Sequence, residues 1–488
     1  MMKKLAVTTA VIAGMLAVSF SAFAQEAAVS ESADAPVVIT LEDALKIGLS
    51  ENVSVKVADM EIERTGFAKK GTYAALFPQI DASGSFQRTI KKQVMYMDFD
   101  MGALGGAAGG GSSEGGELPD GVEIPDASAD AGASSNGGGF EVGRWNNWSA
   151  GVSASMPLVN AQLWQSLKLS GLDVELAVEK ARSSRLDMVT QVKNAFYSVL
   201  MAKEAFDVYR QVYENAMQNL AETQKKYDAQ KASEMDLIRA KTTVANAVPN
   251  VYNAESSIIL ALWQLKAVLG VDLDMNLDVA GKLADHAEQM MRDINESEEM
   301  SLDHNSTMKQ LAIQAEMLAQ SIKVQQYANI PSLAVAFNFS LNAMTNDFKF
   351  NQYRWTPYSF VALSLNIPIF AGGKRYQQIR QAKNQYEQVQ LQVTNTERQL
   401  KIAIRQSLAS METNMKSYYA AQDAVAAAQK GYDITEVSYK VGRSTLIELN
   451  DAQLALTQSR LAESQAIFNF LTAKAQLEQT LGQDFIAE

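Results

Sequence analysis

Two histidines, His286 and His304, are the only imidazoles in the chain. Both fall in a polar connecting region with no ligand-spaced partner, so they read as exposed or hydrogen-bonded side chains rather than metal ligands. The absence of cysteine removes thiolate metal sites, cysteine nucleophiles, disulfides and a lipidated cysteine together. A glycine tract between Gly102 and Gly139 is low complexity, not a GxxxxGK or GxGxxG loop following a strand. Carboxylate pairs are frequent on helical stretches, yet none comes with the apolar pocket that would raise one pKa. Glu448 and Asp451 stand three apart, which places both carboxylates on one helix face. Alone they are exposed acids near a turn. No enzyme assembles from these residues and no cofactor is implied. With 43 basic against 55 acidic side chains, a net charge of -12 and no basic patch, nucleic acid is excluded as a partner. Function must then lie in architecture.

The elements begin with an address label. Lys3 and Lys4 precede an apolar run from Leu5 to Phe20 and then Ala22-Phe23-Ala24, the pattern of a signal peptide over residues 1–24, cleaved near Ala24. Residues 25–38 read as a linker. No other stretch reaches the ~18 uninterrupted apolar residues of a spanning helix. A mean hydropathy of -0.12 with 20% charged residues is too polar for a helical membrane bundle.

The remainder is written twice. Residues 51–78 align with 304–331 at an offset of 253, matching Asn52 with Asn305 and Pro78 with Pro331. Tyr227 matches Tyr439, Asp236 matches Glu448, and Leu269-Gly270 matches Leu481-Gly482, all at 212. A first repeat over 39–270 and a second over 300–488 follow, joined by a connecting segment at 271–299. Each opens with a helix that ends at a proline, after which alternation replaces helical periodicity. Strands are predicted at 79–90 and 147–158, and again at 332–342 and 358–369. Their polar positions are Ser, Asn, Gln and Gly, side chains suited to a barrel lumen. A glycine-rich loop, 91–145, separates the first pair and reads as a mobile surface loop.

Rods follow the strands. Residues 162–228 and 374–440 contain no proline, and Ile379, Tyr386, Val393 and Leu400 fall seven apart, with Val389 between, as a narrow packing seam requires. Each rod breaks at a turn where Gly442 suits a C′ position, and Ser233 and Ser444 or Thr445 suit N-caps of a returning helix. The expected fold is therefore mixed and mostly α: long antiparallel coiled-coil hairpins plus four strands. Pro249 predicts a local kink in the first returning helix. Strands that meet lipid must close into a barrel, and four are too few, so an oligomer is required. Trp145 and Trp148 on one strand pair, and Tyr353, Trp355 and Tyr358 on the other, sit at the ends away from the rods, as an interfacial girdle would.

Leu41-Glu42-Asp43-Ala44-Leu45, Leu76-Phe77-Pro78-Gln79-Ile80, Ile367-Pro368-Ile369-Phe370-Ala371-Gly372-Gly373 and Tyr439-Lys440-Val441-Gly442 together carry a strong resemblance to the TolC-like outer-membrane efflux proteins. The resemblance implies a homotrimer whose twelve strands form one barrel in outer-membrane lipid and whose helices form a periplasmic α-barrel. It also implies docking to a periplasmic adaptor protein and an inner-membrane transporter. Carried over by position, an acidic ring at the periplasmic gate falls on Glu448 and Asp451. Gate links fall on Tyr439 and Asp236, with Arg443 beside Ser444, where the family has its arginine. The turns bearing Ser233, Gly442 and Ser444 would be the tips that meet the adaptor. Small-molecule efflux and protein secretion both fit such a duct. A secreted coiled-coil fibre or adhesin is the rival from another class; four alternating strands with aromatic ends are not required by it.

Overall fold

The computed structural model describes residues 37–95, 140–290 and 301–483. The predicted signal peptide, residues 25–36 of the predicted linker and residues 96–139 of the predicted loop lie outside the described residues.

In chain order, β1 (Val37–Ile39) leads into α1 (Leu41–Glu51) and, after a break at Asn52, α2 (Val53–Ala74). Next come β2 (Gln79–Arg88), the short β3 (Gln93–Met95) and β4 (Phe140–Val142), and β5 (Asn146–Val159). The first rod is α3 (Ala161–Asp228) and its returning partner α4 (Glu234–Leu269). A fourth three-residue strand, β6 (Leu277–Val279), and a 3₁₀ turn at Leu283–Gln289 separate the halves. The second half runs α5 (Ser306–Tyr327), β7 (Ser332–Thr345), β8 (Thr356–Asn366), α6 (Lys374–Lys440) and α7 (Leu446–Leu481). The chain folds as two compact units: one from the segments up to Val57, Arg182–Asn305 and Gln399 onward, the other from Ala58–Ala181 and Ser306–Arg398.

The second unit contains one antiparallel sheet in the order β2-β5-β7-β8, so both hairpins of the duplicated halves join through their inner strands. Strand ends depart from the sequence reading. The first strand stops at Arg88, not at 90. The fourth stops at Asn366 instead of 369, because Pro368 has no N–H and restricts Ile367 before it. Pro157, its counterpart, is carried inside β5 at a register shift between Pro157 and Val159. β7 extends to Thr345, pairing with Asn146. The predicted loop 91–145 has structure at its base, where β3 and β4 pair. In α6 the predicted seam residues Ile379, Tyr386, Val389, Val393 and Leu400 are all half-buried, with Ala382 buried among them.

The first unit holds the main core: Val192, Phe196, Leu200, Leu265, Leu269, Ile404, Met411 and Phe470 are essentially sealed from solvent. Each side chain of this size contributes about 1.5–3 kcal/mol on burial. The predicted linker boundary shifts here, since Val37 and Val38 belong to β1, which pairs in parallel with β6. Helix handovers are duplicated. Asn52 Nδ2 donates to the Val268 carbonyl at 2.7 Å, and Asn305 Nδ2 donates to that of Thr480 at 2.6 Å. Each returning helix ends in a left-handed glycine, Gly270 at φ +77° and Gly482 at φ +72°. A Cβ on Gly270 would stand 2.8 Å from the Glu51 carbonyl oxygen, and one on Gly482 would collide with that of His304, so only glycine lets the two helix ends meet. Pro249 lies within α4, which continues as helix on both sides of it.

Candidate functional site

Two regions carry the sequence expectations. The sheet register sorts its residues onto two faces. Phe86, Trp148 and Ala343 lie side by side, followed by Ala82, Val152 and Phe339, then Ile80, Ala154, Phe337 and Val361. Opposite are Ser85, Ser149 and Asn342, then Asp81, Ser153 and Asn338. Ser85 and Ser149 join their hydroxyls across that polar face at 2.7 Å. The apolar face is uncovered: Val361 is 72% exposed and Leu363 66%, with Ile80, Leu365 and Phe337 exposed as well. Such a face is stable in water only when covered; in hydrocarbon it is at home. β2 and β8 each pair on one side only, leaving both edges of the sheet open.

Of the predicted aromatics, Trp148 packs at the tip against Phe86 (centroids 4.2 Å), Phe350 (4.8 Å) and Tyr353 (6.5 Å). Trp145 lies under the Lys92 ammonium at 4.9 Å, and Trp355 is exposed. Tyr358 departs from the single-girdle expectation. Its register partner is Ser340, which places it on the polar face beside Phe360.

The helix-hairpin turns lie in the first unit. Both rods end in the same backbone device. The Arg443 N–H reaches the Ser438 carbonyl at 2.8 Å and the Lys231 N–H reaches that of Lys226 at 2.7 Å, closing each last turn. The left-handed position is Gly442 (φ +78°) in the second turn and Gln230 (φ +58°) in the first. Both returning helices open with a capping box. Ser233 Oγ donates to Asp236 at 2.7 Å while the Asp236 N–H returns to Ser233, and the Thr445 N–H donates to Glu448 at 2.8 Å with the Glu448 N–H returning to Thr445. The second cap is thus Thr445, and Ser444 is not one.

This arrangement corrects the expected gate link. The Tyr439 hydroxyl is bonded to Thr223 at 2.6 Å, not to Asp236, whose carboxylate is occupied by its own cap. Thr223 already donates its one hydroxyl proton to the Asn219 carbonyl at 2.7 Å, so Tyr439 is the donor. Burial holds the Tyr439 phenol above its usual range, reinforced by the charges of Asp236 and Glu222. The Lys226 ammonium sits 2.5 Å from the Tyr439 carbonyl oxygen and 3.9 Å from its ring centroid, a cation at the C-terminus of α6. Sequence reasoning missed Thr223 and Lys226. They lie three apart on one face of α3, in the polar run Glu222-Thr223-Gln224-Lys225-Lys226 that offers no pattern to read. Arg443 is exposed and engages through its backbone.

Beneath the turns, Ala240, Tyr432, Tyr439, Leu446, Leu449 and Leu456 form a second apolar cluster. Tyr432 is pushed up to about 12, by burial first and then by Glu436. Amide ties run between helices: Asn450 to Thr243 at 3.2 Å, Asn215 to Gln453 at 2.8 Å and Arg460 to Gln429 at 2.8 Å. Glu448 and Asp451 are both exposed within the first turn and a half of α7. No group of metal-binding side chains occurs among the described residues. The region can hold helices together and present charge.

Comparison with known proteins gives a consistent answer. The family described as "Outer membrane efflux protein" matches residues 125–271 and 299–483. Outer membrane protein TolC of Escherichia coli (strain K12) is 20% identical over 356 residues, spanning 70% of this chain and 71% of its own. Proteases secretion protein PrtF of Dickeya chrysanthemi is 22% identical, spanning 69% and 73%. The crystal structure of the Campylobacter jejuni CmeC outer membrane channel superposes with a TM-score of 0.64 at 16% identity, covering 91% of this chain and 85% of that one. With a duplicated hairpin architecture, a two-faced open sheet and a family match across both halves, the chain belongs to the outer membrane efflux proteins and is an outer-membrane exit duct of efflux or secretion systems, not an enzyme.

Proposed function

We propose that three copies close their sheets into one twelve-stranded barrel, by joining β8 of each copy to β2 of the next, and that the helices continue the passage into the periplasm. The open edges carry this reading. Four strands in antiparallel order leave β2 and β8 running in opposite senses, so head-to-tail joining continues the alternation and closes every backbone group in lipid. The apolar face then meets hydrocarbon, and Ser, Asn and Gly line the lumen. The hairpin turns form the periplasmic gate of the duct. Tyr439, Thr223 and Lys226 tie the two rods of one chain, and threefold symmetry gathers Glu448 and Asp451 into a ring that attracts cations. The tips bearing Ser233, Gly442 and Ser444 face a periplasmic adaptor, which links the duct to an inner-membrane transporter. Residues 1–24 act as a cleaved signal peptide that exports the chain.

The cysteine-free sequence makes the edge pairing directly testable. Ser83→Cys on β2, combined in turn with Tyr358→Cys, Phe360→Cys, Ala362→Cys or Ser364→Cys on the same face of β8, samples the possible registers. At least one pair should give oxidised bands up to a trimer and no higher, from the outer-membrane fraction. Monomer alone in every combination would sink the shared barrel.

A further inference from the structure

The fold treats its two returning helices differently, although duplication made them alike. Along α4, Ala245, Pro249, Tyr252, Ser256, Ile259 and Trp263 recur at alternate steps of four and three residues. They form one stripe, roughly 27 Å long at about 1.5 Å per residue. None carries charge and all six are exposed, Tyr252 at 65% and Trp263 at 50%. At the offset of 212 the same stripe on α7 is Thr457, Leu461, Ser464, Phe468, Leu471 and Ala475, every one buried or half-buried. α7 lies on α3. Asn215 of α3 donates to Gln453 at 2.8 Å and Lys193 pairs with Glu478. Burial, then the charge of neighbouring Glu204, holds the Glu463 carboxyl above its usual range. The α3 side is closed too: Thr190 and Tyr197 are buried and Glu204 half-buried, whereas their counterparts on α6, Ile402, Ala409 and Lys416, are exposed. One chain therefore holds a finished α3–α7 seam and the two unmade halves of a second, α4 and α6.

The same offset sets the register of that second seam. Asn215 with Gln453 becomes Ala427 beside Lys241, Glu204 with Glu463 becomes Lys416 beside Val251, and Lys193 with Glu478 becomes Arg405 beside Lys266. Lys416 thus arrives at the turn bearing Tyr252. Arg405 arrives at the turn bearing Trp263, where Lys266 is itself buried with its ammonium on the Leu273 carbonyl at 2.8 Å. Both arriving cations are exposed in the single chain. A cation over an aromatic face gains most once water is excluded, and a guanidinium can also stack on the ring. We propose that the α4 stripe is the docking surface for α6 of a second copy, in the register that α3 and α7 keep within one chain, with Trp263 receiving Arg405 and Tyr252 receiving Lys416. The assignment rests on the three-copy duct, since α6 follows β8 and α4 belongs to the half that holds β2, the two edges joined there. A partner protein of other sequence is the weaker occupant, because a match to the stripe is already encoded in this chain.

Lys241→Cys with Ala427→Cys is placed in the full, otherwise cysteine-free chain and treated in the outer-membrane fraction with a short bis-thiosulfonate linker. Bands at two and three chain masses are expected, and none higher. A control joins Lys241→Cys to Gln422→Cys, five residues along α6 and about 140° round it, and should stay at one chain mass. Trp263→Ser and Arg405→Gln should each raise the monomer-to-trimer ratio in detergent about tenfold, and the double variant no further. Trp263→Phe should restore most of the trimer. Equal linking in the control, links confined to one chain, or a linked band that is not a multiple of the chain mass overturns the α4–α6 seam. Additive losses in the double variant overturn the pairing of Trp263 with Arg405. If Lys241→Cys and Ala427→Cys fail to link while the β2 and β8 cysteine pairs still give trimer, the seam falls and the duct stands. If neither set links, the duct falls and the seam with it.

Discussion

The two helix-hairpin turns descend from one duplicated unit and now differ in what they hold. Tyr227 and Tyr439 occupy the same position at an offset of 212, yet Tyr227 is 37% exposed and Tyr439 only 6%. The backbone devices have been kept in both: a left-handed residue closing the rod and a capping box opening the returning helix. The side-chain contacts have not. Only the second turn has a tyrosine locked to the other rod, through Thr223 and Lys226. Charge diverges too, since Glu448 and Asp451 stand where the first turn has Asp236 and Arg239. Duplication therefore preserves what the chain needs in order to turn, and leaves one copy free to act as the latch of the proposed gate.

The largest effect should come from removing that latch. Tyr439→Ala empties a buried site and should cost about 3–5 kcal/mol locally, whereas Tyr227→Ala should stay within about 0.5 kcal/mol. Weakening a closed state by about 1.4 kcal/mol already shifts its balance with the open state tenfold. Planar-bilayer recordings should accordingly show a marked rise in resting conductance for Tyr439→Ala and none for Tyr227→Ala. Equal behaviour of the two would remove the latch assignment.

Next in size is ion selectivity. Glu448→Gln with Asp451→Asn removes charge while a glutamine at the capping-box position keeps the helix start intact. Reversal potentials should show a reduced cation preference, and Asp236→Asn in the first turn should change it less. A double variant as cation-selective as wild type would dissolve the acidic ring.

The smallest effect tests the backbone itself. Gln230 is the only non-glycine residue at positive φ among the described residues. Gln230→Gly should stabilise the first turn by about 0.5–1 kcal/mol, and Gly442→Ala should destabilise the second by about as much. Thermal denaturation of the detergent-solubilised protein reads both, and shifts of the same sign would contradict the paired geometry.

The duplication, the four strands and the long rods were legible because each has its own period in the sequence. Strand ends were not, because hairpin pairing beyond the alternating core is set across strands, as where Thr345 meets Asn146. The break at Asn52 escaped for a similar reason, since its amide serves a carbonyl 216 residues away. At the turns, Ser233 and the pair Ser444-Thr445 were visible as cap candidates, and the acid three residues after Thr445, Glu448, is what singles it out. That same local pattern explains why Asp236 is unavailable to Tyr439: a partner three residues off costs less ordering than one on another helix. Thr223 gave no signal, being one threonine in a polar run.

The even strand count of each half has a consequence for how such walls can change over time. Losing or adding a whole half leaves the outermost strands running in opposite senses, so ring growth or shrinkage by halves is silent to topology. Losing one strand would set two neighbours running the same way and reset every seam at once. In the proposed shared barrel, subunit number could thus change while the weave stays the same.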